Sequence, residues 1–129
     1  MAWGNFILDS GFDVTAAVTK FRLVKLTSAE TVGAITGIAD LPIGVAQYGV
    51  SAVEIPKGKT ASIRVLGVSE AEAAGAIAVG VRCTQEADGR VSAEVAASGK
   101  RLVGICVGHP AAAAGDRIAL LFQPALGLA

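Results

Sequence analysis

Residues 42–68, PIGVAQYGVSAVEIPKGKTASIRVLGV, decide the reading of the fold. They run as a strand, a turn on Pro56-Lys57-Gly58-Lys59, and a second strand. In Thr60-Ala61-Ser62-Ile63-Arg64-Val65, polar and apolar residues alternate. A period of two is the mark of an antiparallel strand with one face buried, because successive side chains point to opposite faces. Nothing in the stretch carries chemistry; it is scaffold.

Working outward, the same pattern recurs on both sides. Upstream, Phe21–Leu26 reads as a strand, Ser28–Thr31 as a turn, and Val32–Ile38 as a strand broken by Gly33 and Gly37. Strand Ile43–Tyr48 then leads to a bend at Gly49. Downstream, Ser69 with Glu72 three residues later matches a capping box, and Gly75 can close a helix, so one short helical turn is expected there. Ile77–Gln85 reads as a strand interrupted at Gly80. Asp88-Gly89 within Glu86–Arg90 is a hairpin turn, returning through Val91–Val95. Leu102–Val107 reads as a buried strand, Pro110–Asp116 as an alanine-rich turn and Arg117–Phe122 as the closing strand. The expected fold is all-β, a small barrel or sandwich of antiparallel hairpins with at most one short helical turn. Residues 1–20 form an extended N-terminal arm, 21–122 a single β domain, and 123–129 a tail outside the sheet. A faint internal echo relates Ile43-Gly44-Val45-Ala46 to Val103-Gly104-Ile105-Cys106, and Ile63-x-Val65 to Ile118-x-Leu120. Two hairpins of similar design would build a small barrel or sandwich.

Composition narrows the function. The 129 residues are 53% hydrophobic and 17% charged, with mean hydropathy +0.60. Eleven basic residues balance eleven acidic ones. A neutral surface offers no field for nucleic acid or an anionic membrane. It also offers little colloidal repulsion, which favours life inside an assembly. No basic residue precedes Lys20, so no secretory signal is expected. Ala73–Val81, an uncharged apolar run, is far too short to span a membrane. The only Trp, Trp3, and two of the four Phe, Phe6 and Phe12, sit near the N-terminus. Aromatic residues are enriched in interface cores, so this arm is either an interaction surface or a segment folded onto its own domain.

No catalytic or metal motif is complete in the sequence. Gly75–Gly80 has the glycine spacing of a phosphate loop but continues Val81-Arg82 instead of Lys-Ser/Thr. His109 is the only histidine, and Cys83 and Cys106 are its only soft companions, with no close-spaced ligand pair. Each cysteine lies in an apolar strand pattern and reads as a small core hydrophobe. Glu70 and Glu72, two apart in the expected helical turn, do not share a helix face. No catalytic, cofactor-binding or metal site is expected, and the chain is read as a non-enzyme.

The series Ile43–Ala46, Ile63–Val68, Ala87–Val91, Val103–Ile105 and Ala114–Ile118 resembles the capsid cement, or head decoration, proteins of tailed bacteriophages. The resemblance spans roughly residues 30–122. It implies an all-β structural virion protein that binds the outer surface of a phage head. Its partners would be the major capsid protein and further copies of itself, as a homotrimer, stabilising contacts between capsid subunits. It would be found on the virion, and in the host cytoplasm during assembly. The alternative left open by the residues is a small β-barrel module that binds a ligand or protein without catalysis.

Overall fold

The computed structural model describes residues 8–123 and 126–129. Within them run β1 (Leu8–Val14), β2 (Leu23–Ser28), β3 (Thr31–Ala34), β4 (Pro42–Ala46), β5 (Ala61–Glu72), β6 (Arg82–Gln85), β7 (Val91–Ala93), β8 (Leu102–Gly108) and β9 (Arg117–Phe122). The fold is all-β, as the alternating patterns implied. The turn at Pro56 is a single 3-10 turn, Ile55–Lys57, which Gly58 ends at φ 76° with its N–H on the Ile55 carbonyl. A left-handed residue at that point costs glycine no steric strain.

Several expectations are corrected. Ser69–Gly75 is not helical: β5 runs through to Glu72, and Ala73 bridges Val91. The capping-box letters also spell a period of two. Ser69 and Ala71 are buried while Glu70 is exposed, and the Ser69 hydroxyl is tied to Gln47 Nε2 at 2.8 Å instead of capping a helix. On a strand, Glu70 and Glu72 do share a face. Of Ile77–Gln85 only Arg82–Gln85 is strand; Ile77 makes a lone bridge to Ala111. Within the expected arm, residues 8–14 form β1, hydrogen-bonded to β5. In the expected tail, Leu128 bridges Arg101.

The strands close into two units of one design. β1, β3, β2, β4 and the first half of β5 form a ring, with β1 pairing both β3 and β5. The second half of β5, with β9, β8, β6 and β7, forms another, and the parallel bridge Ala73–Val91 returns β7 to β5. The register repeats as well. Val24 faces Ala34 and Gly44 in the first unit; Cys83 faces Ala93 and Gly104 in the second. Each unit carries a bulge at the same place, after Val24 and after Cys83.

The cores repeat residue for residue. The first barrel is filled by Val14, Val18, Val24, Val32, Ala46, Val50, Ala61 and Ile63. Their counterparts are Ala73, Ile77, Cys83, Val91, Cys106, Ala111, Ile118 and Leu120, all in the second core. The chain is thus a tandem duplication sharing one long strand. The faint sequence echo was real, but its last step was misaligned: strand register equates Ile63 with Leu120, not with Ile118. Gly44 and Gly104 also share one role. A methyl group on Gly44 would overlap the Arg64 carbonyl oxygen, and one on Gly104 that of Leu121.

The barrels are joined by more than β5. The Phe21 carbonyl accepts from Glu72 N–H and Leu23 N–H donates to the Gly89 carbonyl, each at 2.9 Å. Arg22 pairs with Glu72 at 3.1 Å. The loop between β3 and β4 lies across the second barrel. There Gln85 Nε2 donates to the carbonyls of Gly37 and Asp40 at 3.0 and 2.9 Å, and Arg101 N–H donates to Ile38 at 2.8 Å. Leu23, Ile35 and Val45 pack into the same apolar cluster as the second core. Burying a side chain of that size is worth about 1.5–3 kcal/mol, so the two barrels are held as one body.

Candidate interaction surfaces

The residues able to do chemistry are dispersed or occupied. His109 is exposed on the loop after β8. Cys83 and Cys106 are free and buried, in the core positions that Val24 and Ala46 hold in the first barrel. Loss of water around Cys83, together with the neighbouring Cys106, pushes its thiol up to about 12, so it remains protonated at neutral pH. Glu72 is committed to Arg22. Among the described residues no cluster of His, Cys, Asp or Glu could hold a metal ion. The depression at the barrel junction, between Thr19, Arg22, Thr36 and Asp88, is open. Its one carboxylate, Asp88, is tied to Arg90 at 2.8 Å. No acid, base and nucleophile converge there, and neither does a closed ligand cavity.

Ion pairs fasten the loops. Asp40 accepts from Lys25 Nζ at 2.8 Å and from the N–H groups of Thr36 and Gly37 at 3.0 and 2.9 Å. These bonds, the Lys25 one foremost, hold its carboxyl down at about 2. Asp40 thereby fixes the loop that lies on the second barrel.

The chain does carry apolar surface in the open. Leu26, Leu41, Tyr48, Val53, Val79 and Val95 are all at least half exposed. Leu8 and Leu66, cross-strand partners on β1 and β5, are also exposed. Lys20 Nζ stands 4.7 Å from the Phe21 ring centroid and 5.8 Å from that of Tyr48. Single exposed apolar residues are ordinary, but a chain with this many and no net charge presents surfaces suited to other subunits.

Of the aromatic residues singled out in sequence, Trp3 and Phe6 lie outside the described residues. Phe12 is half-buried on β1, opposite Ala61, against the first core. Sequence reasoning missed Leu26, Leu41 and Val95. The available signal was the internal repeat, which places Leu26 where the second copy has Gln85 and Leu41 where it has Arg101.

Known proteins resemble the chain in sequence family and in fold. A family model described as phage cement protein matches residues 4–122. No curated protein sequence matches the chain. Among solved structures, the head fiber gp8.5 N base of bacteriophage phi29 superposes with a TM-score of 0.63. It is 19% identical, and the alignment covers 92% of this chain and 95% of that one. At that identity the likeness speaks for the fold. The family match extends over nearly the whole chain, and the chain belongs to the phage cement protein family.

Proposed function

We propose that this member of the phage cement protein family binds the outside of a phage head and stabilises contacts between major capsid protein subunits. The observation that carries the reading is the family match over residues 4–122. The architecture supports it: two barrels fused through β5 make a stiff body, with exposed apolar side chains. The protein works by adhesion. Separating two capsid subunits then also costs the contacts that bridge them, and repetition over the shell multiplies a modest interface through avidity. It acts as a homo-oligomer, a trimer, joining the virion after synthesis in the host cytoplasm. The arm bearing Trp3 and Phe6, together with Phe12 at the start of the fold, contributes to contact with the shell or between copies.

The test mixes purified protein with undecorated heads and measures bound copies per head and the temperature at which heads rupture. Saturable binding with a raised rupture temperature is expected. Removal of residues 1–7 should weaken binding while leaving β1 in place. Removal through Phe12 would also strip β1 from β5 and lower stability, so the shorter truncation is the informative one. Absence of binding, or binding with no gain in heat resistance, would refute the proposal.

A further inference from the structure

Equivalence between the two barrels identifies a face that is covered on one and open on the other. On the second barrel, Gln85 is fully buried and Arg101 half-buried beneath residues 37–40 of the first. Gly89 is covered by Leu23. The register equates these three with Leu26, Leu41 and Glu30 on the first barrel. There Leu26 is 50% and Leu41 53% exposed, and Glu30 is exposed. The open face is therefore more apolar than the one the chain already buries.

We infer that this open face seats a second copy of the chain, through the β7–β8 loop of that copy's second barrel. The inference rests on the self-association proposed above and names its surface. The choice of occupant follows from the same equivalence. Within the chain, the covering segment is the β3–β4 loop with Leu23. Its counterpart on the second barrel is the loop from Glu94 to Lys100, with Arg82 in the place of Leu23. That loop presents Val95, 63% exposed, with Ala96 and Ala97 also exposed. Docked as the β3–β4 loop docks, it lays these three residues on Leu26 and Leu41. It also brings Arg82 near Glu30; Arg82 is already paired bidentately with Glu94 at 2.7 Å, so the contact is carried by the apolar residues and not by this charge. One feature differs. In the first barrel Asp13 N–H closes directly onto the Glu30 carbonyl at 2.9 Å, where Phe21–Leu23 are wedged between Glu72 and Gly89 in the second. The second copy accordingly rests on side chains and does not insert backbone. Each copy uses different faces as donor and acceptor, so the contact is head-to-tail, and a closed ring such as a trimer forms only if the rotation between copies closes.

Two single-cysteine additions test this on the full-length chain, Leu26→Cys and Val95→Cys. Under mild oxidation, a mixture of the two should yield a disulfide-linked dimer that neither yields alone, both in solution and on heads. The double variant Leu26→Asp/Leu41→Asp should raise the self-dissociation constant about tenfold or more. Val53→Asp, at a 71% exposed position away from this face, should leave it unchanged. An intact oligomer in the double variant, or cross-linking of either cysteine variant with itself alone, overturns this surface while self-association stands. A chain that stays monomeric in solution and uncross-linked on heads overturns both, and head binding is judged separately from its own stoichiometry.

Discussion

Gly104→Ala is the sharpest probe of how the barrels are built. Gly104 sits on β8 with φ 154°, and an added Cβ would overlap the Leu121 carbonyl oxygen and approach Leu120 Cδ1 at 3.1 Å. The obstacle is backbone of the neighbouring strand, so no side-chain rotation relieves it. β8 and β9 must separate locally, loosening the pairs Gly104–Phe122 and Ile105–Leu121. Overpacking costs about 1–3 kcal/mol, and a conformation rarely open to L-residues adds about 1–3 kcal/mol. The sum, about 2–6 kcal/mol, is a large part of the about 5–15 kcal/mol that holds a domain folded. With about 3–5 °C lost per kcal/mol for a chain of this size, the melting temperature should fall by about 6–30 °C. Gly44→Ala meets the Arg64 carbonyl and Ile63 Cγ2 in the same way but without a positive φ, so it should cost about 1–3 kcal/mol. Gly75→Ala, with nothing within 4 Å, should change stability by less than about 0.5 kcal/mol. Thermal melting and urea unfolding, both monitored by circular dichroism, measure all three. If Gly104→Ala melts within a few degrees of the parent while Gly75→Ala does not stand apart from it, the close strand approach is not what the glycine serves.

Other tests address the junction and the core. Gln85→Ala leaves the Asp40 carbonyl without its donor, while that of Gly37 keeps the Asp40 N–H at 3.2 Å; a loss of about 1–3 kcal/mol is expected. Faster amide exchange at Arg101, which donates to Ile38, should accompany it. Acid should loosen the same loop. The carboxyl of Asp40 is held at about 2 in the folded chain, against 3.8 for the free side chain. Its contribution is therefore complete above about pH 4 and lost as pH falls towards 2. Asp40→Asn should be less stable at neutral pH and should flatten that part of the stability profile. Cys83→Val places the first barrel's own residue, that of Val24, in the second core. It should fold normally, within about 1.5 kcal/mol of the parent, and a molten or aggregated product would contradict the equivalence. In the parent, alkylation of Cys83 should require unfolding, because burial pushes its thiol up to about 12.

What could be read in sequence was local. Period-two alternation located the strand around Ile63, Asp88-Gly89 gave the hairpin, and the apolar surroundings of the two cysteines gave their burial. The duplication was visible only as a trace, for physical reasons. Core positions ask for volume and not identity, so Val24 answers to Cys83 and Ala46 to Cys106. Left-handed positions also hide it: Phe21 at φ 61° answers to Gly80 at 87°, and Glu30 at 59° to Gly89 at 85°. Non-glycine residues there give no turn signal. The helical turn expected at Ser69 failed because capping letters and strand alternation coincide in SEAEA, and tertiary pairing with β9 decided between them. Leu26, Leu41 and Val95 gain meaning only once the second copy supplies a comparison.

One consequence of the shared strand concerns parity. Along β5 the residues that line the first barrel, Ala61 and Ile63, and those facing the second, Ser69 and Ala71, are all odd-numbered. Side chains alternate along a paired strand, so inserting one residue near Gly67 would turn the lining of one barrel outward unless it were taken up as a bulge, like the one β5 already makes opposite Leu8 and Asp9, while inserting two would preserve both. The length of the joint is in that sense quantised: it can grow or shrink in steps of two, and a single-codon insertion there would be far more damaging than one in the loop at Pro56.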